Sequence, residues 1–285
     1  MIQHQTPDLP RDQISTHPTE KGPINRFQAA VTNIPDHKKR DRGGEDAWIL
    51  TEELLAVADG VGGWNRKGVN PGIFARELCA NVWGDYKQMR QEGKKCSDIN
   101  IRQLLINAVA RTKATGTSTF VMAMMEREEA VLKTLNLGDS GFLIVRQKDS
   151  TSDFELVFRS KEQQYRFNYP YQCGTNYGPP THADVHAHMV QDKDIVILAT
   201  DGVLDNLFDN DILSCVQKGF GQEEVLAQLA ASACIGQTAE GLSFRKDYDS
   251  PFAQNARTAG RNHPGGKKDD ITVVVGQVNL ATKIQ

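Results

Sequence analysis

The sequence predicts an α+β protein, a layered fold in which helices cover sheets. Three observations carry that prediction. Strand-like and helix-like segments arrive in blocks rather than in strict βαβ alternation, which disfavours a doubly wound parallel sheet. Near-identical apolar runs at 54–58 and 195–200 each lead into Asp-Gly, as buried strands do where they stop at a sheet edge. The chain has 285 residues, 39% of them hydrophobic, enough to bury a sizeable core.

Residues 1–26 carry Pro7, Pro10, Pro18 and Pro23 and show no apolar period, so they read as a disordered polar arm. One domain over 27–285 follows. Strands are expected at 27–31, 47–50 and 54–58. A helix then opens at Pro71, a residue suited to a first helical position. In it Ala75, Cys79, Val82, Tyr86 and Met89 recur at three- and four-residue steps and form one apolar face. A second helix is expected over 101–112, burying Ile101, Leu104, Leu105, Ala108 and Val109. Strands return at 117–125, 130–137, 142–146, 154–158, 184–190 and 195–200. Helices follow at 211–218 and 223–232. Residues 236–268 are polar and punctuated by Gly and Pro, which predicts a long functional loop. A last strand is expected over 271–278. No internal repeat is visible.

Composition excludes several classes. Lys and Arg number 33 against 36 Asp and Glu, a net charge of -3, too balanced for a nucleic-acid footprint. The densest basic run, Lys38-Lys39-Arg40, is short and flanked by Asp36, Asp41 and Glu45. No apolar run approaches the roughly 18 residues that span a bilayer. The arm lacks an apolar signal region and mixes Asp8, Asp12 and Glu20 with Arg11, Lys21 and Arg26, so a cytoplasmic location is expected. The five cysteines (Cys79, Cys96, Cys173, Cys215 and Cys234) are odd in number and far apart, and read as neither a disulfide framework nor a zinc module. Cys96 precedes Arg102 at the spacing of a thiol phosphatase loop, but no Gly lies between them to let the backbone curl around phosphate.

The chemistry is expected at strand ends. Asp59-Gly60 and Asp201-Gly202 follow apolar runs, Gly138-Asp139-Ser140-Gly141 follows another, Asp269-Asp270 opens the final strand, and Glu45-Asp46 opens an early one. A carboxylate there is held rigidly yet reaches the edge of the sheet. The Gly beside it allows backbone or ligand to approach closely. If such ends converge, their repulsion is relieved by protonation or, better, by hard divalent cations, whose preferred ligands are carboxylate, carbonyl and water.

Six motifs occur in order: Gly44-Glu45-Asp46-Ala47, Val57-Ala58-Asp59-Gly60-Val61-Gly62-Gly63-Trp64, Gly116-Thr117-Ser118-Thr119, Asn136-Leu137-Gly138-Asp139-Ser140-Gly141, Ala199-Thr200-Asp201-Gly202-Val203-Leu204-Asp205-Asn206 and Lys268-Asp269-Asp270-Ile271-Thr272. This series resembles the PP2C family of metal-dependent protein serine/threonine phosphatases. Glu162-Gln163-Gln164 and Ser250-Pro251-Phe252-Ala253-Gln254 resemble its PTC7-type branch. The resemblance implies an α-β-β-α sandwich of two antiparallel sheets flanked by helices, with a binuclear Mn²⁺/Mg²⁺ centre at one end. By motif match, Asp59 would bridge both ions and Gly60 would coordinate through its carbonyl. Asp201 and Asp269 would bind one ion, and Glu45 and Asp46 would hold metal directly or through water. Asp139 and Asp205 match positions that in some relatives hold a weaker third ion. Asp59, Asp201 and Asp269 are thus the expected catalytic set, and a metal-activated water would attack phosphorus on phosphoprotein substrates. The resemblance also brings in the mitochondrial matrix as an alternative compartment; a monomer is expected.

Two positions depart from the family pattern. Where many members carry an Arg four residues before the Glu, this chain has Asp41, and Arg40 and Arg42 are the nearest phosphate-binding candidates. Where many carry a His after Asp-Gly, this chain has Val61. Two alternatives therefore stay open: a two-metal hydrolase of small phosphoesters or nucleotides, and an inactive module that binds phosphoproteins. His182, His186 and His188 with Asp184 form a period-two set that reads as an exposed sheet face rather than a zinc site. Gly265-Gly266-Lys267-Lys268 lacks the spacing and the Ser/Thr of a phosphate loop.

Overall fold

Side chains alternate sides along each apolar strand, and this sorts them into separate cores in the computed structural model, which describes residues 24–148, 153–220 and 227–281. The strands are β1 (Arg26–Ile34), β2 (Asp46–Leu50), β3 (Leu54–Asp59), β4 (Thr117–Ser118), β5 (Phe120–Met125), β6 (Val131–Leu137), β7 (Gly141–Gln147), β8 (Phe154–Arg159), β9 (Gln164–Arg166), β10 (Tyr169–Pro170), β11 (Cys173–Gly174), β12 (Asp184–Met189), β13 (Ile195–Ala199) and β14 (Ile271–Asn279). The helices are α1 (Pro71–Gln91), α2 (Ile101–Arg111), α3 (Asp201–Leu204), α4 (Asp209–Phe220), α5 (Ala227–Ser243) and α6 (Pro251–Thr258).

Two five-stranded sheets result, ordered β1-β14-β13-β7-β8 and β12-β6-β5-β3-β2. Every pairing within them is antiparallel. In β3, Leu55 and Val57 face the opposite sheet, while Leu54, Ala56 and Ala58 face α1 and α2. In β13, Val196 and Leu198 face the opposite sheet, and Ile195, Ile197 and Ala199 face α4 and α5. Both faces of β3 over 54–58 and of β13 are covered, which is why these two runs are apolar at every position. The layers are helices, sheet, sheet, helices, the sandwich that the sequence implied.

The first helix starts where Pro71 fixes φ and Asn70 Oδ1 accepts from the Gly72 N–H at 3.0 Å. Asn100 caps α2 in the same way, accepting from Gln103 at 3.1 Å.

Several expectations need correction. Residues 236–268 are not one loop: α5 continues to Ser243, and α6 is capped by Ser250 Oγ accepting from Ala253 N–H at 3.0 Å. Ala231 and Ala239 sit in the core where α5 packs on the sheet, small side chains of high helix propensity. The strand expected over 117–125 breaks between β4 and β5, because Ser118 bridges to Gly60 rather than continuing the ladder. Cys215 and Cys234 form a disulfide between α4 and α5, so the cysteines are not all free thiols. Residues 24–26, read as part of the arm, belong to the fold: Asn25 is buried and donates to the carbonyls of Glu126 and Glu129. The arm over 1–23, residues 223–226 of an expected helix and the final residues 282–285 lie outside the described residues. Among the described residues no helix is long and apolar enough to cross a membrane.

Candidate metal centre

Both sheets deliver acidic side chains to the same end of the sandwich. Asp46 and Asp59 face each other across the β2–β3 ladder, with Glu45 just before β2. From the other sheet, Asp201 follows β13, Asp269 and Asp270 precede β14, and Asp139 precedes β7. Asp205 stands at the end of the short α3.

The Asp-Gly pairs have a steric cause. A Cβ on Gly60 would stand 2.7 Å from the Glu45 carbonyl oxygen and 2.8 Å from Pro71. One on Gly202 would fall 2.0 Å from the Asp270 carbonyl oxygen. Only Gly lets the two motif-bearing turns lie this close to the acids beside them.

Asp46 is buried, and its Oδ2 accepts from Thr200 Oγ1 at 2.9 Å and Thr272 Oγ1 at 2.7 Å. Its Oδ1 is buried without a hydrogen-bond partner, as are Oδ1 of Asp139 and Oδ1 of Asp201. Loss of hydration, then the charge of Asp270, pushes the Asp46 carboxyl well above the usual range. Loss of hydration, then the charges of Asp201, Asp46, Asp269 and Asp139, does the same to Asp59. Asp139 is raised by burial and then by Asp201.

Two lysines offset part of this repulsion. Lys39 Nζ lies 2.8 Å from Glu45, 2.9 Å from Asp270 and 3.1 Å from Asp269. Lys267 Nζ bonds Asp205 at 2.7 Å, pairs with Asp201, and lies 3.4 Å from Asp269. Burial pushes Asp269 upward, but the charges of Lys267 and Lys39 outweigh it and hold the carboxyl below its ordinary value. Among the described residues, no three carboxyl, imidazole or thiol groups already form a metal cage; the acids ring these ammoniums instead. The donor set nonetheless fits a hard divalent ion. It is all oxygen, mutually repelling, and includes three buried carboxylate oxygens that nothing else satisfies.

Arg42 and Arg40 part company. Arg42 Nη2 donates to Glu45 Oε1 at 2.7 Å and Asn65 Oδ1 at 3.1 Å, beside the acids. Arg40 instead donates to Glu240 at 3.2 Å. Arg76 from α1 also reaches this side, donating to the Gly44 carbonyl at 3.3 Å. His186 and His188 pack on Phe158, and His188 Nε2 bonds Thr134 Oγ1 at 2.9 Å, which suits a sheet face.

Sequence reasoning missed Lys39, Lys267, Thr200, Thr272 and the structural part of Asp270. Asp270 accepts from the backbone N–H of Asp36 and Glu45, tying the early loop to β14. Lys267 lies within Gly265-Gly266-Lys267-Lys268, a stretch whose sequence does not mark the carboxylates that meet it.

No protein-family model matches the chain. It is 35% identical over 266 residues to the protein phosphatase PTC7 homologue fig of Drosophila grimshawi, covering 85% of this chain and 81% of that one. It is 37% identical over 264 residues to the probable protein phosphatase 2C 80 of Arabidopsis thaliana, covering 89% of this chain and 59% of the relative. Among solved structures, the photosystem II phosphatase PBCP superposes with a TM-score of 0.76 at 29% identity, over 89% of this chain and 99% of that one. With the acids gathered at one end of a double-sheet sandwich, the chain belongs to the PP2C family of serine/threonine protein phosphatases. Its place there is in the PTC7-like branch.

Proposed function

We propose that this chain removes phosphate from phosphoserine and phosphothreonine on proteins at a centre of two Mn²⁺ or Mg²⁺ ions. Glu45, Asp46, Asp59, the Gly60 carbonyl, Asp201 and Asp269 would hold them. The observation that carries the reading is the pair of buried carboxylate oxygens, Oδ1 of Asp46 and Oδ1 of Asp201, that lack partners. Bound divalent ions supply Lewis acidity at phosphoryl oxygens and lower the pKa of a coordinated water.

The chain's own residues do the rest. Thr200 and Thr272 fix the Asp46 carboxylate, so its free oxygen faces one direction. Arg42 is partly exposed and anchored through Nη2 to Glu45 and Asn65; its other N–H groups would grip the substrate phosphate. Val61 offers no proton, so water at the mouth, or another acid, would give the leaving alkoxide its proton. A monomer is the working unit carried forward from the sequence, and size-exclusion with light scattering would test it. The cytoplasm is the compartment carried forward from the arm's composition, with the mitochondrial matrix as the alternative that fractionation would separate.

The test is turnover of a phosphopeptide panel and a nucleotide panel by metal-stripped protein, with Mn²⁺ or Mg²⁺ added back. Metal-dependent release from phosphopeptides is expected. Preference for nucleotides would favour a small-phosphoester hydrolase, and binding without release would favour an inactive module.

A further inference from the structure

The ammonium of Lys267 is not a surface charge that has swung into an acidic hollow. Its side chain is 12% exposed. Its backbone is held from both sides by Asn206: the Lys267 N–H donates to Asn206 Oδ1 at 2.9 Å, and Asn206 Nδ2 donates to the Lys267 carbonyl at 2.8 Å. Asn206 Nδ2 also donates to the Gly202 carbonyl at 2.9 Å, within the turn that carries Asp201 and Asp205. The ammonium stands 5.1 Å from the centre of the Phe252 ring. The lysine and the two carboxylates it meets are therefore mounted on one hydrogen-bonded frame.

We propose that Lys267 is a resident cation of this centre: its ammonium supplies the positive charge on the Asp205 side and keeps a divalent ion out of that side. The centre then takes two divalent ions, not three. This rests on the metal-centre reading above. A hard ion such as Mg²⁺ needs oxygen ligands at about 2.1 Å in a near-complete shell. An ammonium 2.7 Å from Asp205 and paired with Asp201 occupies the space where such a shell would form. Its charge also removes the electrostatic reason for an ion there. Asp139 adds to the negative field around Lys267. Lys39 differs: it is shared with Asp270, whose carboxylate already serves backbone N–H groups, so it belongs partly to the loop's scaffold.

The experiment is equilibrium dialysis of the full chain against Mn²⁺, with bound metal counted by mass spectrometry. Wild type is expected to hold two ions per chain, and Lys267→Met one more. Because Lys267→Met could fail to fold without metal, Asp205→Asn is measured alongside it with Lys267 in place; its count is expected to stay at two. Three ions on wild type, an unchanged count in a folded Lys267→Met, or a lower count in Asp205→Asn would each overturn the inference. Wild type that binds no Mn²⁺ would overturn the metal-centre reading and this inference together, so the two failures are told apart.

Discussion

The Asp46 carboxylate accepts a 2.7 Å hydrogen bond from Thr272 across the space between the two sheets, since Asp46 lies on β2 and Thr272 on β14. The link fixes the carboxylate of a proposed metal ligand and joins the two halves of the sandwich at the site. Thr272→Val keeps the shape and removes the donor. It is expected to weaken Mn²⁺ binding by about 10- to 100-fold, the usual effect of losing a partner that orients a ligand. Calorimetric titration of metal-stripped protein measures this; an unchanged affinity would mean that Thr200 alone orients Asp46.

Metal, not thiol, is expected to govern activity. Asp59→Asn and Asp201→Asn should each lower turnover by about 100-fold or more, and EDTA should abolish it. Cys79, Cys96 and Cys173 are buried, and loss of hydration pushes the Cys173 thiol up to about 12, so thiolate is scarce at neutral pH. Iodoacetamide on the folded protein should leave phosphopeptide turnover intact; loss of activity on alkylation would sink the non-thiol mechanism.

Arg42 and Arg40 should separate in kinetics. A charge-assisted contact is worth about 1.5–3 kcal/mol, or roughly 10- to 100-fold. Arg42→Ala should raise KM for phosphopeptides by that order, while Arg40→Ala, which loses a contact to Glu240, should not. Equal effects from both variants would argue against Arg42 as the phosphate ligand.

A second charged cluster lies at the opposite end of the sheet, around a cavity of about 750 Å³ lined in part by Glu53, Tyr86, Arg90 and Arg127. Burial raises the Glu53 carboxyl, but hydrogen bonds from Arg127 and Tyr86 and the charge of Arg127 outweigh it and hold the group below its ordinary value. A carboxyl depressed in the folded state stabilises above its unfolded pKa, about 4.3, and loses that contribution as pH falls through the folded value. Glu53→Gln should cost roughly 1–3 kcal/mol near neutral pH. The gap between wild type and variant should close below about pH 4, as thermal melts across pH would record. A gap that widens in acid would reverse the sign of the argument.

The Cys215–Cys234 bond closes a loop with a sequence separation of 19. Loop-closure entropy puts its contribution at about 3 kcal/mol. The double variant Cys215→Ser/Cys234→Ser should lower the unfolding free energy by that amount, seen as a lower urea midpoint under non-reducing conditions. No shift would mean that the packing of α4 on α5 already fixes this pair.

What the sequence made legible follows from which forces are local. Strands β3, β13 and β14 were readable because burial on both faces leaves a continuous apolar run. The acids were readable because each sits at a strand end beside Gly, a local signal. The end of α5 and all of α6 were not, since small residues and Pro251 look like loop until Ser250 is recognised as a cap. Lys39 and Lys267 were invisible for another reason: a lysine's role depends on which carboxylates the distant chain brings to it, and no periodicity records that. The disulfide depends likewise on two helices meeting in space.

The pairing of β1 with β14 runs through nine residue pairs, from Arg26 opposite Asn279 to Ile34 opposite Ile271. The two partners are far apart along the chain. Strand β1 sits at the sheet edge with β14 as its ladder partner, so closing this pairing brings together residues from distant parts of the chain, a high-separation contact of the kind that slows folding.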